Sequence, residues 1–366
     1  MKCPRPSSVL WILPGGLALL LFFVLPYFPG VTETVFSRGL FRVVSVPLGF
    51  LTSLLPFSLT EALAVAALPL LIAGIVLLIR KFRRTAARKP LVKTLLRRTA
   101  WVLSVLFALY MLMHGLNFYR MPVAELMELD TRQQDAAFLQ KVCRDLAEQA
   151  SAERAKLTED EDGRIDPGLS RTAILRQADA GYRAAQADYP FLWGSVWNPK
   201  PVQLSHWWSY TGVTGMYFPF LAEANVNIDV PVFNMPATAA HELAHTRGFA
   251  REDECNFLAF LTCRYQEDPL YRYSGNLLAY IYCSNTLYDY SEEMWWEIRD
   301  ACSDAMRRDL EEQRQYWKQF EGEVQQVSTQ VNNAFITAHG DEDGVLSYDR
   351  VVELILAYYQ TVVWGT

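Results

Sequence analysis

Acidic residues are nearly absent from the first third of the chain. Residues 1–120 contain 14 Lys and Arg but only two acids, Glu33 and Glu61, so this part carries a net charge of +12. The rest of the chain contains 20 Lys and Arg against 38 Asp and Glu, a net charge of −18. This acidic part argues against nucleic-acid binding, because affinity for phosphate comes from Lys and Arg. The asymmetry predicts a membrane anchor followed by a water-exposed polar domain.

Cysteine is also scarce, and its spacing gives no disulfide framework. Five of the six cysteines follow residue 120, an odd number without any CxxC pair. They are Cys143, Cys255, Cys263, Cys283 and Cys302. Cys255 and Cys263 fall among apolar residues of a predicted helix, so we expect them to be buried as small hydrophobic side chains.

Three apolar segments are long enough to cross a bilayer, whose hydrocarbon core of about 30 Å requires roughly 20 helical residues. The predicted transmembrane helices cover residues 9–28, 62–79 and 100–119. A cleaved signal peptide is the alternative for the first of them, because Lys2 and Arg5 precede its apolar run. No clear small-x-small cleavage site follows that run, which favours an uncleaved span. His114, in the third segment, is expected to be a packed or interfacial residue.

Residues 80–98 form a predicted loop between the second and third spans, with nine basic and no acidic residues. The positive-inside rule places this loop in the cytoplasm. The N-terminus is then also cytoplasmic, residues 1–120 form a three-span anchor, and residues 121–366 form an extracytoplasmic domain. In residues 36–55 two arginines interrupt an apolar pattern, which is typical of an amphipathic helix lying in the membrane interface.

The polar domain is predicted to be mainly helical. Apolar residues recur at helical intervals within residues 124–157, and helix-forming sequence resumes at about Thr238 and dominates to the end. Between these regions, the segment 225–230 alternates polar and apolar residues, as in a half-buried strand. We therefore expect a small β-sheet beside otherwise helical structure.

The chemistry is concentrated in the HELAH sequence that begins at His241. Residues i and i+4 share one face of a helix, so the imidazoles of His241 and His245 can bind one metal ion, for which zinc is the usual choice. Glu242 lies beside them, where it can take a proton from a water that the zinc activates. The alternative is a surface helix that carries two exposed histidines beside a glutamate.

A catalytic zinc needs a third protein ligand and an open fourth position. Metzincins place a histidine where this chain has Arg251, which cannot bind the metal. Three acids follow at once, Glu252, Asp253 and Glu254, at the start of a predicted helix. Their alternative role is to complement the positive end of the helix dipole. The sequence alone leaves the choice among the acids open; we rank Glu252 first, Glu254 second and Asp253 third.

The run EDECN that begins at Glu252 resembles the Glu-x-x-Ala-Asp signature of membrane-embedded gluzincin peptidases. The resemblance implies that Glu252 is the third zinc ligand and that Asn256 supports a histidine, with Glu254 as a further supporting residue. The chain departs from the signature in two ways. Asn replaces Asp, and only seven positions separate His245 from Glu252.

Over nearly its whole length the chain also resembles an uncharacterised bacterial family of three-span membrane proteins. The shared motifs are HELAH, GFARE and EDE(A/C)NF, preceded by G(M/I)YFPF and EANVN. This resemblance implies a location in the bacterial cell membrane, the three-span architecture and the zinc site, but no particular substrate.

These features together predict a mainly α protein, in which three N-terminal transmembrane helices precede an α+β, zincin-like extracytoplasmic domain. The expected activity is that of a zinc-dependent metallopeptidase with Glu242 as general base. Its expected partners are the lipid bilayer and a peptide or protein substrate. Zincins commonly pair an edge strand with the substrate; residues 225–230 are the candidate, and an ordinary core strand is the alternative. The competing hypothesis is a zinc-containing membrane sensor or binding protein without catalysis.

Overall fold

Asp and Ser residues begin many of the helices, because their side chains accept a hydrogen bond from an N–H group of the first turn. Asp135, Asp268 and Ser303 cap three of the longer helices in this way. The computed structural model describes residues 11–86, 88–132, 134–194, 198–338 and 348–365. Over these residues the protein is mainly helical with one small sheet, which confirms the coarse prediction.

The helices and strands are numbered in chain order. The helices are α1 (Leu13–Val24), α2 (Pro29–Val31), α3 (Phe41–Ser53), α4 (Leu59–Arg84), α5 (Arg88–Met113), α6 (Val123–Leu126), α7 (Ala136–Arg154), α8 (Arg171–Gln177), α9 (Asp179–Ala185), α10 (Ser205–Ser209), α11 (Met235–Thr246), α12 (Glu252–Arg264), α13 (Pro269–Tyr290), α14 (Glu292–Arg299), α15 (Asp304–Lys318), α16 (Glu323–Ala338) and α17 (Tyr348–Tyr358). The strands are β1 (Lys200–Val202), β2 (Gly215–Phe218) and β3 (Glu223–Asn227).

Among the described residues, three helices are long and apolar enough to cross a membrane. They are α4, α5 and the continuous helix Pro29–Ser53, in which a π-helical segment, Thr32–Leu40, joins α2 to α3. The predicted span 62–79 lies within α4, and most of the predicted span 100–119 lies within α5, which ends at Met113. The predicted span 9–28 is not among these three helices. Its described part forms the helix Leu13–Tyr27, which is apolar but shorter. Prolines at positions 26 and 29 account for its end, because proline disfavours helical geometry in the residue before it.

The basic residues 80–98 do not form the predicted loop. α4 continues to Arg84 and α5 begins at Arg88, so most of these residues lie in helix ends. Lys and Arg are good helix formers. Those in the last turn of α4 also complement the negative end of the helix dipole.

The Pro29–Ser53 helix differs from α4 in how it meets the rest of the chain. Its buried polar and aromatic positions include Glu33, Ser37, Phe41 and Thr52, which repeat at helical intervals on one face. Ser37 donates to the Asn117 side chain (2.8 Å), and Thr52 donates to a backbone carbonyl near β3. The apolar window of α4, by contrast, buries nothing against the protein. This one-sided burial agrees with the amphipathic pattern predicted for residues 36–55.

The sheet has the strand order β1-β3-β2, with β1 parallel and β2 antiparallel to β3. β3 is therefore the central strand, and all five of its residues are buried. Because neighbours occupy both of its edges, it cannot pair with an extended peptide, and the substrate-strand prediction for residues 225–230 was wrong. The edge strand β2 packs against α11, which also contacts α12 and α13. Helix α11 thus lies between the sheet and the helical core.

Candidate metal centre

The turn between α11 and α12 brings the histidines of the HELAH segment next to the acids that follow them in the chain. α11 ends at Thr246, and Gly248 adopts a left-handed conformation (φ +79°), as glycine often does after a helix. A side chain at Gly248 would also press against the ring of Phe41 (3.1 Å). This tight turn lets α12 begin at Glu252, only seven residues after His245, with its first residue facing α11.

The imidazoles of His241 and His245 both face the Glu252 carboxylate. His241 Nε2 lies 3.1 Å from Glu252 Oε2, and His245 Nε2 lies 3.7 Å from Glu252 Oε1. The two ring centroids are 5.0 Å apart. We call these three residues, together with Glu242, the histidine cluster.

Each imidazole is oriented through its other nitrogen. His241 Nδ1 donates to the Asn256 side-chain oxygen (2.9 Å), and His245 Nδ1 donates to the Phe249 carbonyl (2.9 Å). Nδ1 carries the proton in both rings, because each partner oxygen is an acceptor. The Nε2 atoms of both rings are then directed towards Glu252. The structure thus brings Asn256 to a histidine, as the resemblance implied.

Cys255 also lies close to the two histidines. The atoms that His241, His245 and Cys255 offer as ligands are all within 4.8 Å of one another, which makes them a possible metal-binding triad. The sulfur lies 3.4 Å from His245 Nδ1 and 3.5 Å from the Phe249 carbonyl, on the side of the ring away from Glu252. Burial, together with nearby carboxylates, raises the pKa of its thiol well above the ordinary value. The thiolate needed for metal binding is therefore disfavoured.

Glu242 is buried against β2. A Cβ atom at Gly215 would collide with its carboxylate, so only glycine fits at this strand position. The backbone N–H of Tyr217 donates to the same carboxylate, while Oε2 has no hydrogen-bond partner. Burial first, and the charge of Glu252 second, raise the pKa of Glu242 to about 8.

The four titratable groups of the histidine cluster have strongly opposed pKa values. Burial disfavours the charged form of Glu252, but hydrogen bonding and charge from the histidines lower its pKa to about 2. Burial likewise disfavours protonation of His241, yet Glu252 and Glu242 raise its pKa to about 9. Burial, reinforced by the charge on His241, lowers the pKa of His245 to about 4. Without a metal ion, these pKa values put the positive charge on His241, where it faces the ionised Glu252, and leave His245 neutral.

The other two acids at the start of α12 behave differently from Glu252. Glu254 Oε1 accepts from the backbone N–H of Val123 (2.8 Å) and pairs with Arg251 (3.2 Å), so its contacts tie α12 to α6 and not to the histidines. Asp253 is buried as well. In the described part of the chain, the carboxylate that reaches both imidazoles is that of Glu252.

Several residues beside the cluster come from distant parts of the chain, and among them the sequence singled out only His114, which is buried as expected of a packed residue. The His114 ring lies edge-on to His245 (centroids 5.6 Å), and Tyr217 stacks on His245 (6.0 Å). Arg120 lies over the Phe249 ring (3.7 Å), donates to the Gly248 carbonyl (2.8 Å) and pairs with Glu33. A histidine at the end of an apolar segment was the one available hint.

Comparison with known proteins identifies a family but no activity. A family model described as "Protein of unknown function (DUF3810)" matches residues 36–356. No curated protein and no solved structure matches the chain significantly.

Proposed function

The chain belongs to the DUF3810 family, whose function is unknown, and we propose that it is a membrane-anchored, zinc-dependent metallopeptidase with a gluzincin-like site. The observation that carries this proposal is the convergence of His241 Nε2, His245 Nε2 and the Glu252 carboxylate, with Glu242 buried beside them. The expected location is the bacterial cell membrane, with the polar domain on the extracytoplasmic side.

The three donor groups suit zinc in kind and spacing. Two imidazoles and one carboxylate are a ligand set of catalytic zinc sites. Ligand bonds of roughly 2.1 Å in a tetrahedral arrangement place neighbouring donor atoms roughly 3.4 Å apart. The observed separations of 3.1 and 3.7 Å between the imidazole nitrogens and Glu252 oxygens lie on either side of that value. A cation would also balance the charge of the ionised Glu252.

The surroundings of Glu242 support the same assignment, because no basic side chain among the described residues pairs with its buried carboxylate. Of the three other described carboxylates with an unbonded buried oxygen, Glu153 and Glu254 each pair with an arginine through the other oxygen, and the third is Asp253. Glu242 has no arginine or lysine partner among the described residues. A buried carboxylate with a raised pKa and a free oxygen beside three converging ligands is the arrangement expected of a general base.

A bound zinc would supply Lewis acidity and lower the pKa of water towards neutrality. Glu242 Oε2 takes the proton of the attacking water and then passes it to the amine of the departing peptide fragment. Asn256 and the Phe249 carbonyl keep the two imidazoles in the ligand orientation. In this proposal the extended substrate pairs with the outer edge of β2, the side away from β3, where the Tyr217 N–H reaches the Glu242 carboxylate.

The test is a comparison of native chain with Glu242→Gln, each purified at full length in detergent. We expect about one zinc per chain in both proteins, and hydrolysis of a mixed peptide library by the native protein alone, with a rate loss of roughly 100- to 10,000-fold in the variant. Glu267→Gln, a change at an exposed acid, is the matched control and should keep full activity. Hydrolysis that survives Glu242→Gln would contradict the mechanism.

One observation favours a non-catalytic zinc-containing sensor or binding protein as the second candidate. Arg120 connects Glu33 of the Pro29–Ser53 helix to the Gly248 carbonyl in the turn between the metal ligands. Metal binding at His245 and Glu252 would stabilise that turn, and the arginine would transmit the change to the membrane-facing helix. A native protein that binds zinc but hydrolyses no peptide of the library would favour this candidate.

A further inference from the structure

We infer that the substrate is a polypeptide anchored in the same membrane and cleaved within a few residues of the bilayer surface. The inference rests on the proposed function and concerns where the histidine cluster lies relative to the apolar helices. It depends on contacts at the ends of α5 and α4 and on the lengths of these helices.

The end of α5 is part of the site. Helix α5 ends at Met113, and the next residue, His114, packs edge-on against the proposed ligand His245 at 5.6 Å between ring centroids. The hydroxyl of Tyr217, in the edge strand β2, donates to the Met113 carbonyl (3.5 Å). A single side chain therefore separates the end of an apolar helix from a metal ligand.

The start of α4 is fixed to the same sheet. The carboxylate of Glu223, in the central strand β3, accepts from the backbone N–H groups of Leu59 (3.2 Å) and Thr60 (2.8 Å). A carboxylate at a helix N-terminus is stabilised by the helix dipole and by the unpaired N–H groups there. Glu61 in turn accepts from the backbone N–H groups of Gln203 and Leu204. The sheet thus joins the ends of two apolar helices.

The helix lengths place this sheet at the boundary between lipid and water. The 18 apolar residues from Ala62 to Ile79 span roughly 27 Å at 1.5 Å per residue, close to the hydrocarbon thickness of about 30 Å. Basic residues begin at Arg80, so the apolar window leaves the bilayer at its other end next to Glu61. On α10, close to this end, the Trp207 side chain is 67% exposed, as is typical of aromatic residues at a membrane interface.

A peptide on the outer edge of β2 then lies at the level where a membrane-spanning segment leaves the bilayer. A tethered chain reaches this level without a diffusional search, and tethering gives an effective concentration in the mM range. A free peptide lacks this advantage and must enter the same narrow layer from the water. The geometry therefore selects substrates by their anchorage in addition to their sequence.

The experiment uses the full chain and its Glu242→Gln variant in lipid nanodiscs. The substrate is a randomised segment of about 12 residues, offered either as a free peptide or fused directly to a Leu/Ala transmembrane helix. We expect Glu242-dependent cleavage to be at least tenfold faster in the anchored form. Flexible Gly/Ser spacers of about 5, 10 and 20 residues between helix and segment should move the cut into the spacer, at a constant distance from the bilayer.

A second readout does not depend on turnover. In the Glu242→Gln variant, a photoreactive residue at Met216 on β2 should crosslink to the anchored segment near its helix and only weakly to the free peptide. The inference would be overturned if both forms were crosslinked equally and cleaved equally, with cut sites set by the substrate sequence and independent of spacer length. That outcome would leave the peptidase proposal intact. If neither form is cleaved by the native chain, the proposed function fails and the inference fails with it.

Discussion

The histidine cluster and a second buried group of charges, here called the arginine cluster, differ in how completely their charges are matched. In the arginine cluster, the side chains of Arg154 and Asp309 are each 1% exposed and are joined by a 2.6 Å ion pair. Arg154 also donates to the Gly163 carbonyl, and the Tyr273 hydroxyl donates to the same Asp309 carboxylate (2.6 Å). The arginine therefore has acceptors for its N–H groups, and the Asp309 carboxylate has donors for its oxygens.

The histidine cluster has no such balance. The pKa values of the two imidazoles diverge to about 9 and about 4, the pKa of Glu242 is raised to about 8, and Glu242 Oε2 lacks a hydrogen-bond partner. Buried ionic groups are normally paired, because an unmatched charge costs several kcal/mol of desolvation. The difference supports the proposed metal site: the charges of the arginine cluster match one another, whereas those of the histidine cluster leave room for a further cation.

Removal of a ligand should give the largest effect. We expect His245→Ala to lower zinc affinity on the order of 1,000-fold, because one of three protein ligands is lost from a site whose binding energy they share. Metal analysis of the purified full-length protein should show about one zinc per native chain and almost none in the variant. His206→Ala is the matched control, since that imidazole is more exposed and pairs with Asp229. A variant that keeps native zinc content would place the metal elsewhere.

The arginine cluster should respond in the opposite way. We expect Arg154→Met to lower the free energy of unfolding by about 3–5 kcal/mol, because it leaves Asp309 buried without its cation. The folded fraction should keep its zinc. Denaturant unfolding in detergent measures the first effect and metal analysis the second. The double variant Arg154→Met/Asp309→Leu should recover most of the stability; failure to do so would show that the pair is not self-contained.

The sequence was sufficient to predict the residues of the site that share one helix, and insufficient to predict those that come from other segments. His241, Glu242 and His245 share one helix, so their spacing alone places them together. The choice of Glu252 over its neighbours required the turn at Gly248, which no helical pattern describes. His114 and Tyr217 reach the cluster from other segments, and only the tertiary packing of α5 and β2 brings them there.

The membrane segments show a similar limit. Hydropathy identifies α4 because its residues are apolar on every side. The Pro29–Ser53 helix carries Glu33 on its buried face, where two arginines pair with it: Arg38 (2.6 Å) in the same helix and Arg120 (2.8 Å), 87 positions further along the chain. A window of sequence contains Arg38 but cannot register the contact with Arg120. Hydropathy therefore located α4, which is exposed along its apolar window, but did not identify Pro29–Ser53 as a candidate span.

Asn256 should contribute less than a ligand. We expect Asn256→Ala to lower zinc affinity by about 10- to 100-fold, because His241 loses the acceptor that orients its ring. Asn256→Asp should retain most of the affinity, since a carboxylate oxygen accepts the same hydrogen bond. Competition with a chelator measures both variants, and Asn276→Ala, a change at another buried asparagine, controls for general destabilisation. Equal affinities in all four proteins would show that the 2.9 Å contact with His241 has no role in metal binding.

Cys255 should matter least for zinc binding, although its sulfur lies 3.4 Å from His245 Nδ1. We expect Cys255→Ala to change zinc affinity by less than about threefold and to cost about 1 kcal/mol of stability, because a buried, protonated thiol is replaced by a smaller side chain. Glu252→Ala is the paired variant and should lose zinc as His245→Ala does. Cobalt substitution distinguishes the two ligand sets directly. A thiolate-to-cobalt charge-transfer band that disappears in Cys255→Ala would make Cys255 the third ligand, and Glu252 would then be the acid that compensates the charge on His241.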